Sequence, residues 1–195
     1  MKTINERTTE YPVNDLFLKR YSPRAMSGEA FEREELMTLF EAGRWAPSAF
    51  NAQPWRFIYA LKGTPDFELF LSFLMEGNQV WCKNAGAFVV VLSKKTSSGK
   101  NNATHLLDTG SAWENIALQG AEMGLVVHGM AGYKADVVIK ELNINDDYEI
   151  GLMIAIGKPG KIEDLPEALQ EREKPSDRNK LEEMVFEGKE GAKKI

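Results

Sequence analysis

The strongest constraint in this sequence is the run Ala85-Gly86-Ala87-Phe88-Val89-Val90-Val91-Leu92, eight residues without a polar side chain. A membrane-spanning helix needs about 20 apolar residues, so this run is far too short to cross a bilayer. Its β-branched centre reads instead as a strand at 86–93, buried on both faces. A chain organised around such a strand must supply cover for it. The rest of the sequence does so with segments of helical and strand period.

Residues 13–19 carry apolar positions at 13, 16 and 17 and stop before Tyr21-Ser22-Pro23, which predicts a short helix delivering Arg20 into a turn. Residues 30–45 follow a helical stripe that ends before Pro47. A proline-bracketed loop comes next, then a strand at 55–61, an apolar and aromatic run of strand length. A helix is predicted at 67–75, a polar loop at 94–102, and a long helix at 104–123 that is buried on most sides. Gly124 fits a C-cap. A further helix is predicted at 134–142 and a further strand at 149–157. From 162 to 195 the chain turns charged, with Pro166, Pro175 and scattered apolar residues. This tail has too little apolar surface to fold alone, so Leu181, Met184, Val185 and Phe186 need cover on the domain or on another subunit.

With 195 residues, one domain spanning 1–195 is expected. The formal charge of −5 disfavours a nucleic-acid partner, because a polyanion is repelled unless the cations are concentrated in one place. The single cysteine, Cys82, cannot form an internal disulfide and has no zinc-type companion spacing. No apolar signal segment opens the chain. These features predict a soluble, cytoplasmic protein without a membrane span.

Several chemistries lack their motif. There is no glycine-rich dinucleotide fingerprint, no P-loop and no nucleophile elbow. His105 and His128 have no acid at a metal or triad spacing and read as structural, and no metal site is expected. Three segments remain. Arg20-Tyr21-Ser22-Pro23-Arg24 alternates guanidiniums with a hydroxyl and suits either an anion site or a solvated basic turn. The 47–55 loop presents Ser48, Asn51 and Gln53 beside aromatics, which suits a flat heteroaromatic ring or an ordinary strand-entry turn. Gly129-Met130-Ala131-Gly132 permits close backbone approach to a ligand edge, or is a plain turn.

In this order and spacing, these segments resemble the nitroreductase family of FMN-dependent oxidoreductases. Arg20, Ser22 and Arg24 match the family's opening turn; Ala46-Pro47-Ser48 and Asn51-Ala52-Gln53-Pro54-Trp55 match its next motif. Glu173-Lys174-Pro175-Ser176-Asp177-Arg178 matches a tail element, so the likeness covers most of the chain. The resemblance implies an α+β three-layer sandwich, a mixed and mainly antiparallel sheet flanked by helices. It implies a homodimer with two FMN molecules at the interface, and a C-terminal segment, 162–195, swapped onto the partner. By position, Arg20, Ser22 and Arg24 would hold the FMN phosphate, ribityl chain and pyrimidine side, and Arg178 would be a second phosphate cation. From the other subunit, Pro47, Ser48, Asn51 and Gln53 would line the cofactor. Asn78 would sit at the pyrimidine edge, with the backbone of Ala131 and Gly132 facing flavin N5 and O4.

The implied activity is hydride transfer from NADH or NADPH through flavin N5 to a nitroaromatic, quinone or similar electrophile, by a ping-pong mechanism and with no catalytic side chain. A cation such as Arg24 would favour reduction by stabilising charge at N1 and O2. Alternatives are a flavin-binding or sensor module without turnover, or a specialised member such as a reductive dehalogenase or flavin-fragmenting enzyme. In two places the chain departs from some relatives: Trp81 stands where they carry a lysine, and Ala131 where they carry an acid.

Overall fold

The computed structural model describes residues 3–4 and 6–193; the ends of the expected domain and tail, residues 1–2 and 194–195, lie outside them, as does residue 5. A short hairpin, β1 (Thr3–Ile4) and β2 (Arg7–Thr8), opens the chain, followed by α1 (Asp15–Lys19) and α2 (Arg33–Arg44). Asn14 starts α1 by accepting the Leu16 N–H on its side chain at 2.9 Å. Next come β3 (Trp55–Leu61), α3 (Pro65–Phe73), α4 (Glu76–Cys82) and β4 (Ala87–Lys94). A small hairpin, β5 (Thr96–Ser97) and β6 (Lys100–Asn101), leads to the long α5 (His105–Glu122). The chain continues through β7 (Val126–Met130), α6 (Ala135–Glu141), β8 (Tyr148–Gly157), α7 (Glu167–Gln170) and α8 (Gly188–Ala192).

The main sheet has the order β3-β4-β8-β7, and all three of its pairings are antiparallel. The expected mixed character finds no parallel pair among the described residues. Strand β4 is central and buried along almost its whole length, and its alternate residues serve two cores. Phe88, Val90 and Leu92 pack with Phe67, Phe70, Phe73, Trp81 and Val138 from α3, α4 and α6. Ala87, Val89 and Val91 pack with Leu36, Leu39, Ile116 and Ala117 from α2 and α5. Cover on both faces is why the strand reads as one continuous apolar run. At about 1.5–3 kcal/mol for each fully buried valine or phenylalanine, these two cores hold the three layers together.

One expectation is corrected, and one further helix joins the framework. The 94–102 loop folds as the β5–β6 hairpin, because Ser98 and Gly99 both take positive φ, 50° and 75°, the geometry of a tight two-residue hairpin turn. The segment after α3 contains α4, whose seven residues are too few to display a helical period. Gly124 has φ +71° and ends α5 as expected.

The tail runs back over its own chain as far as Leu181, whose N–H donates to Glu10. Leu181, Met184 and Val185 remain 37–65% exposed. They find no full cover within the chain.

Candidate functional site

The turn after α1 is extended from Arg20 onward and half-buried. Arg20 lies 3.7 Å from the Glu114 carboxylate on α5, with Nη1 3.5 Å from Ser22 Oγ. Two distant residues hold the far end of the turn. His128 on β7 places Nδ1 2.8 Å from the Pro23 carbonyl, which fixes that nitrogen as the protonated one. Glu173, buried in the tail, accepts the backbone N–H groups of Arg24 and Ala25 through Oε1. Its Oε2 lies 3.5 Å from Arg24 Nη1. Arg24 therefore comes with its charge shared by a carboxylate, and its guanidinium sits 6.0 Å from the centroid of Trp81. Trp81 in turn packs 4.6 Å from the His128 ring. Burial drives the His128 pKa below the ordinary imidazole value, with Arg24 adding to the shift.

A further cation, unmarked by any motif, meets this turn. Arg7 is only 5% exposed and donates to the carbonyls of Leu18 at 3.0 Å, Arg20 at 2.6 Å and Ser176 at 2.9 Å. Burial lowers its pKa, and so do the nearby charges of Arg178 and Arg20, only partly countered by Asp177. The structure thus brings Arg20 and Arg178, 158 residues apart in sequence, close enough to repel a common neighbour. Arg178 is exposed, its Nη1 donating to Ser176 and to the Asp177 carbonyl.

At the exposed end of β7, the Asn78 amide donates to the Gly132 carbonyl at 3.0 Å, and the Gly132 carbonyl also accepts the Met75 N–H. A Cβ on Gly132 would lie 2.7 Å from Asn78 Nδ2, so only glycine lets the two approach. Ala131 is exposed beside them. The turn, Trp81, Asn78 and residues 131–132 all gather at the β7 edge of the sheet.

The 47–53 segment lies elsewhere. It leads into β3, the opposite edge strand, three strand spacings or about 14 Å away across the sheet. Phe50, Asn51 and Gln53 all have positive φ, 51°, 54° and 47°. Left-handed backbone costs about 1–2 kcal/mol at each non-glycine residue, so the surroundings must impose it. They do: Ser48 Oγ accepts the Gln53 N–H at 3.0 Å, Asp108 on α5 accepts the Ala49 N–H at 3.2 Å, and the Gln53 amide donates to the Asn51 carbonyl at 2.9 Å. Pro47, Asn51 and Gln53 are exposed and Ser48 half-buried. Phe50 projects fully into solvent. One chain therefore carries two groups of candidate residues on opposite edges and does not bring them together.

Other ionisable groups are held in structural roles. Cys82 is fully buried, its thiol pKa pushed up by desolvation, with Sγ 3.4 Å from Met130 Sδ. His105 pairs through Nδ1 with Ser93 Oγ at 2.9 Å. A groove of about 640 Å³ between the N-terminal segment and residues 177–182 is lined by Arg7, Tyr11, Phe17 and Arg178 among others. It meets the cation cluster at one end and includes neither Asn78 nor Gly132.

Sequence reasoning missed Arg7 and Glu173. Arg7 sits in an undistinguished polar segment. Glu173 carried no mark beyond its place in the tail motif, because its work is done on backbone amides 148 residues away.

A profile of the Nitroreductase family matches residues 18–66 and 61–158. The Bacillus subtilis (strain 168) protein named "Putative NAD(P)H nitroreductase MhqN" is 27% identical over 177 residues, spanning 72% of this chain and 84% of its own. Among solved structures, an oxidoreductase containing FMN superposes with a TM-score of 0.94 at 44% identity, over 97% of this chain and 98% of its own. A nitroreductase family protein from Clostridium difficile 630 shares the fold with a TM-score of 0.70 at 24% identity, over 90% of this chain and 97% of its own.

Proposed function

This chain belongs to the nitroreductase family, and from that premise we propose that it is an FMN-dependent NAD(P)H oxidoreductase acting as a homodimer on a small electrophile such as a quinone or nitroaromatic. The observation that carries the reading is the division of the candidate residues between opposite sheet edges. A site lined by both groups needs the β7 edge of one protomer and the 47–53 loop of another.

The residues present suit FMN. Arg20 and Arg178 converge on Arg7 in a cation cluster in which Arg7 donates to backbone carbonyls and Glu114 and Asp177 offset part of the charge, leaving a net positive site that would suit a phosphate dianion. Asn78 and the backbone at 131–132 offer amide donors and carbonyl acceptors at one spot, suited to the edge of a flavin ring. Ser22 adds a hydroxyl for the chain between ring and phosphate. From the second protomer, Pro47, Ser48, Asn51 and Gln53 would cover the ring. The exposed apolar residues of α5, Leu106 at 42% and Leu107 at 72%, together with Met184 and Val185, are the surface such a dimer would bury.

When bound, FMN supplies two-electron transfer between a nicotinamide and an electrophilic acceptor. The side chains bind and orient. Arg24, restrained by Glu173, would present a tempered positive charge to the pyrimidine side of a bound FMN. Trp81, buried between Arg24 and His128, gives that side an apolar wall where some relatives place a cation.

The test is steady-state kinetics with NADH or NADPH varied at several fixed concentrations of a quinone. Parallel reciprocal plots are expected, because the two substrates would use one ring face in turn. A protein that binds FMN but oxidises neither nicotinamide would overturn the enzymatic reading in favour of a flavin-holding module.

A further inference from the structure

We infer that Arg7 is a positioning residue whose buried guanidinium, donating to the carbonyls of Leu18, Arg20 and Ser176, sets the Arg20 and Arg178 side chains into one phosphate-binding cluster. This rests on the phosphate assignment of Arg20 and Arg178 above.

Two stretches of chain distant in sequence converge on this one side chain. They are the end of α1 running into the turn, at Leu18 and Arg20, and the tail at Ser176, lying 11, 13 and 169 residues from Arg7. Arginine's planar fork can serve several acceptors in fixed directions, which a lysine ammonium on its flexible stem does not reproduce. The carbonyl of Arg20 and the carbonyl two residues before Arg178 are both held, so the backbone roots of both cations are fixed relative to each other.

The charge distribution points the same way. A guanidinium 5% exposed is normally paired with a carboxylate. Among the described residues, no carboxylate lies within ion-pair distance of Arg7; its hydrogen-bond partners are neutral carbonyls, and its largest charged neighbours are Arg178 and Arg20, with Asp177 a lesser opposing charge. Glu114 faces Arg20 at 3.7 Å and Asp177 partly offsets the charge at Arg7, so three guanidiniums meet two carboxylates and a net positive charge remains. An anion of charge near −2 removes that repulsion, which an uncharged ligand cannot do.

The experiment compares FMN with riboflavin, which lacks the phosphate, by fluorescence titration of apoprotein. Wild-type protein should bind FMN at least about tenfold more tightly than riboflavin. Equal affinities would instead defeat the phosphate reading of Arg20 and Arg178. In Arg7→Lys, which keeps the buried charge and loses the fork, FMN should weaken about tenfold while riboflavin changes less than about twofold. Arg178→Met should also cost less in that background than in wild type, because the positioning is already lost. An Arg7→Lys protein that keeps the wild-type FMN-to-riboflavin ratio overturns the proposal. Should Arg7→Lys fail to fold, hydrogen exchange of the wild-type apoprotein decides. Inorganic phosphate should then protect residues 18–22 and 176–178 together, and protection of one segment alone overturns it.

Discussion

Glu173 Oε1 accepts the backbone N–H of Ala25 at 2.7 Å across 148 residues of sequence. The same oxygen takes the Arg24 N–H, and the other oxygen faces the Arg24 guanidinium. One tail carboxylate thereby caps the strand-like end of the Arg20–Arg24 turn and tempers its second cation. Tail and turn are parts of one device.

Removing that carboxylate leaves the Arg24 and Ala25 N–H groups without their acceptor and the Arg24 guanidinium without its ion-pair partner. Glu173→Ala should destabilise the protein by about 2–4 kcal/mol, on the scale of orphaned buried polar groups. Glu173→Gln, which retains an acceptor oxygen for the amides, should lose less. Urea unfolding checks both, and a Glu173→Ala protein as stable as wild type would show that the contact carries nothing.

Acid should destabilise the fold through His128, the other residue that holds this turn. His128 has a folded-state pKa below its ordinary 6.5, chiefly because burial disfavours the charged ring. The unfolded chain therefore binds the proton more readily. The contribution is fully present above pH 6.5 and is lost as pH falls through the lowered folded value. Stability measured between pH 7 and pH 5 should decline, and His128→Asn should flatten that decline. An unchanged slope in the variant would assign the decline to other groups.

Gly132→Ala tests the β7 edge. The added Cβ meets the far end of the Asn78 side chain, which can swing away, so global stability should fall by less than about 1 kcal/mol. Swinging away breaks the bond to the Gly132 carbonyl, and FMN affinity should fall by about fivefold or more. Calorimetry of unfolding beside an FMN titration separates the two effects.

What could be read from the chain and what could not divide along a physical line. The run at 85–92 announced a doubly covered strand because both of its faces are apolar; β3 and β8 announced themselves as apolar runs of strand length, and α5 by the spacing of its apolar positions. The Arg20, Asn51 and Arg178 motifs were legible because they recur in a recognisable order. Helix α4 was hidden by its brevity and the β5–β6 hairpin by its polarity. Arg7 and Glu173 were hidden for another reason: each bonds to backbone atoms far away in sequence, and a backbone partner leaves no trace in residue identity. That the two motif groups lie on opposite edges follows only from the strand order.

The central claim, one FMN site completed by two protomers, is tested by mixing two defective proteins. Arg20→Ala removes a cation from the β7-edge half, and Asn51→Gly removes an amide from the loop half while keeping its positive φ accessible. Each protein alone should lose bound FMN. Unfolded together and refolded, about half of the dimers are hybrids, and each hybrid holds one site with both residues intact. Recovery of tightly bound FMN in about a quarter of all sites is the expected result, by that arithmetic. A mixture that binds no more FMN than its two parts would place both residues in a site within one chain and contradict the account.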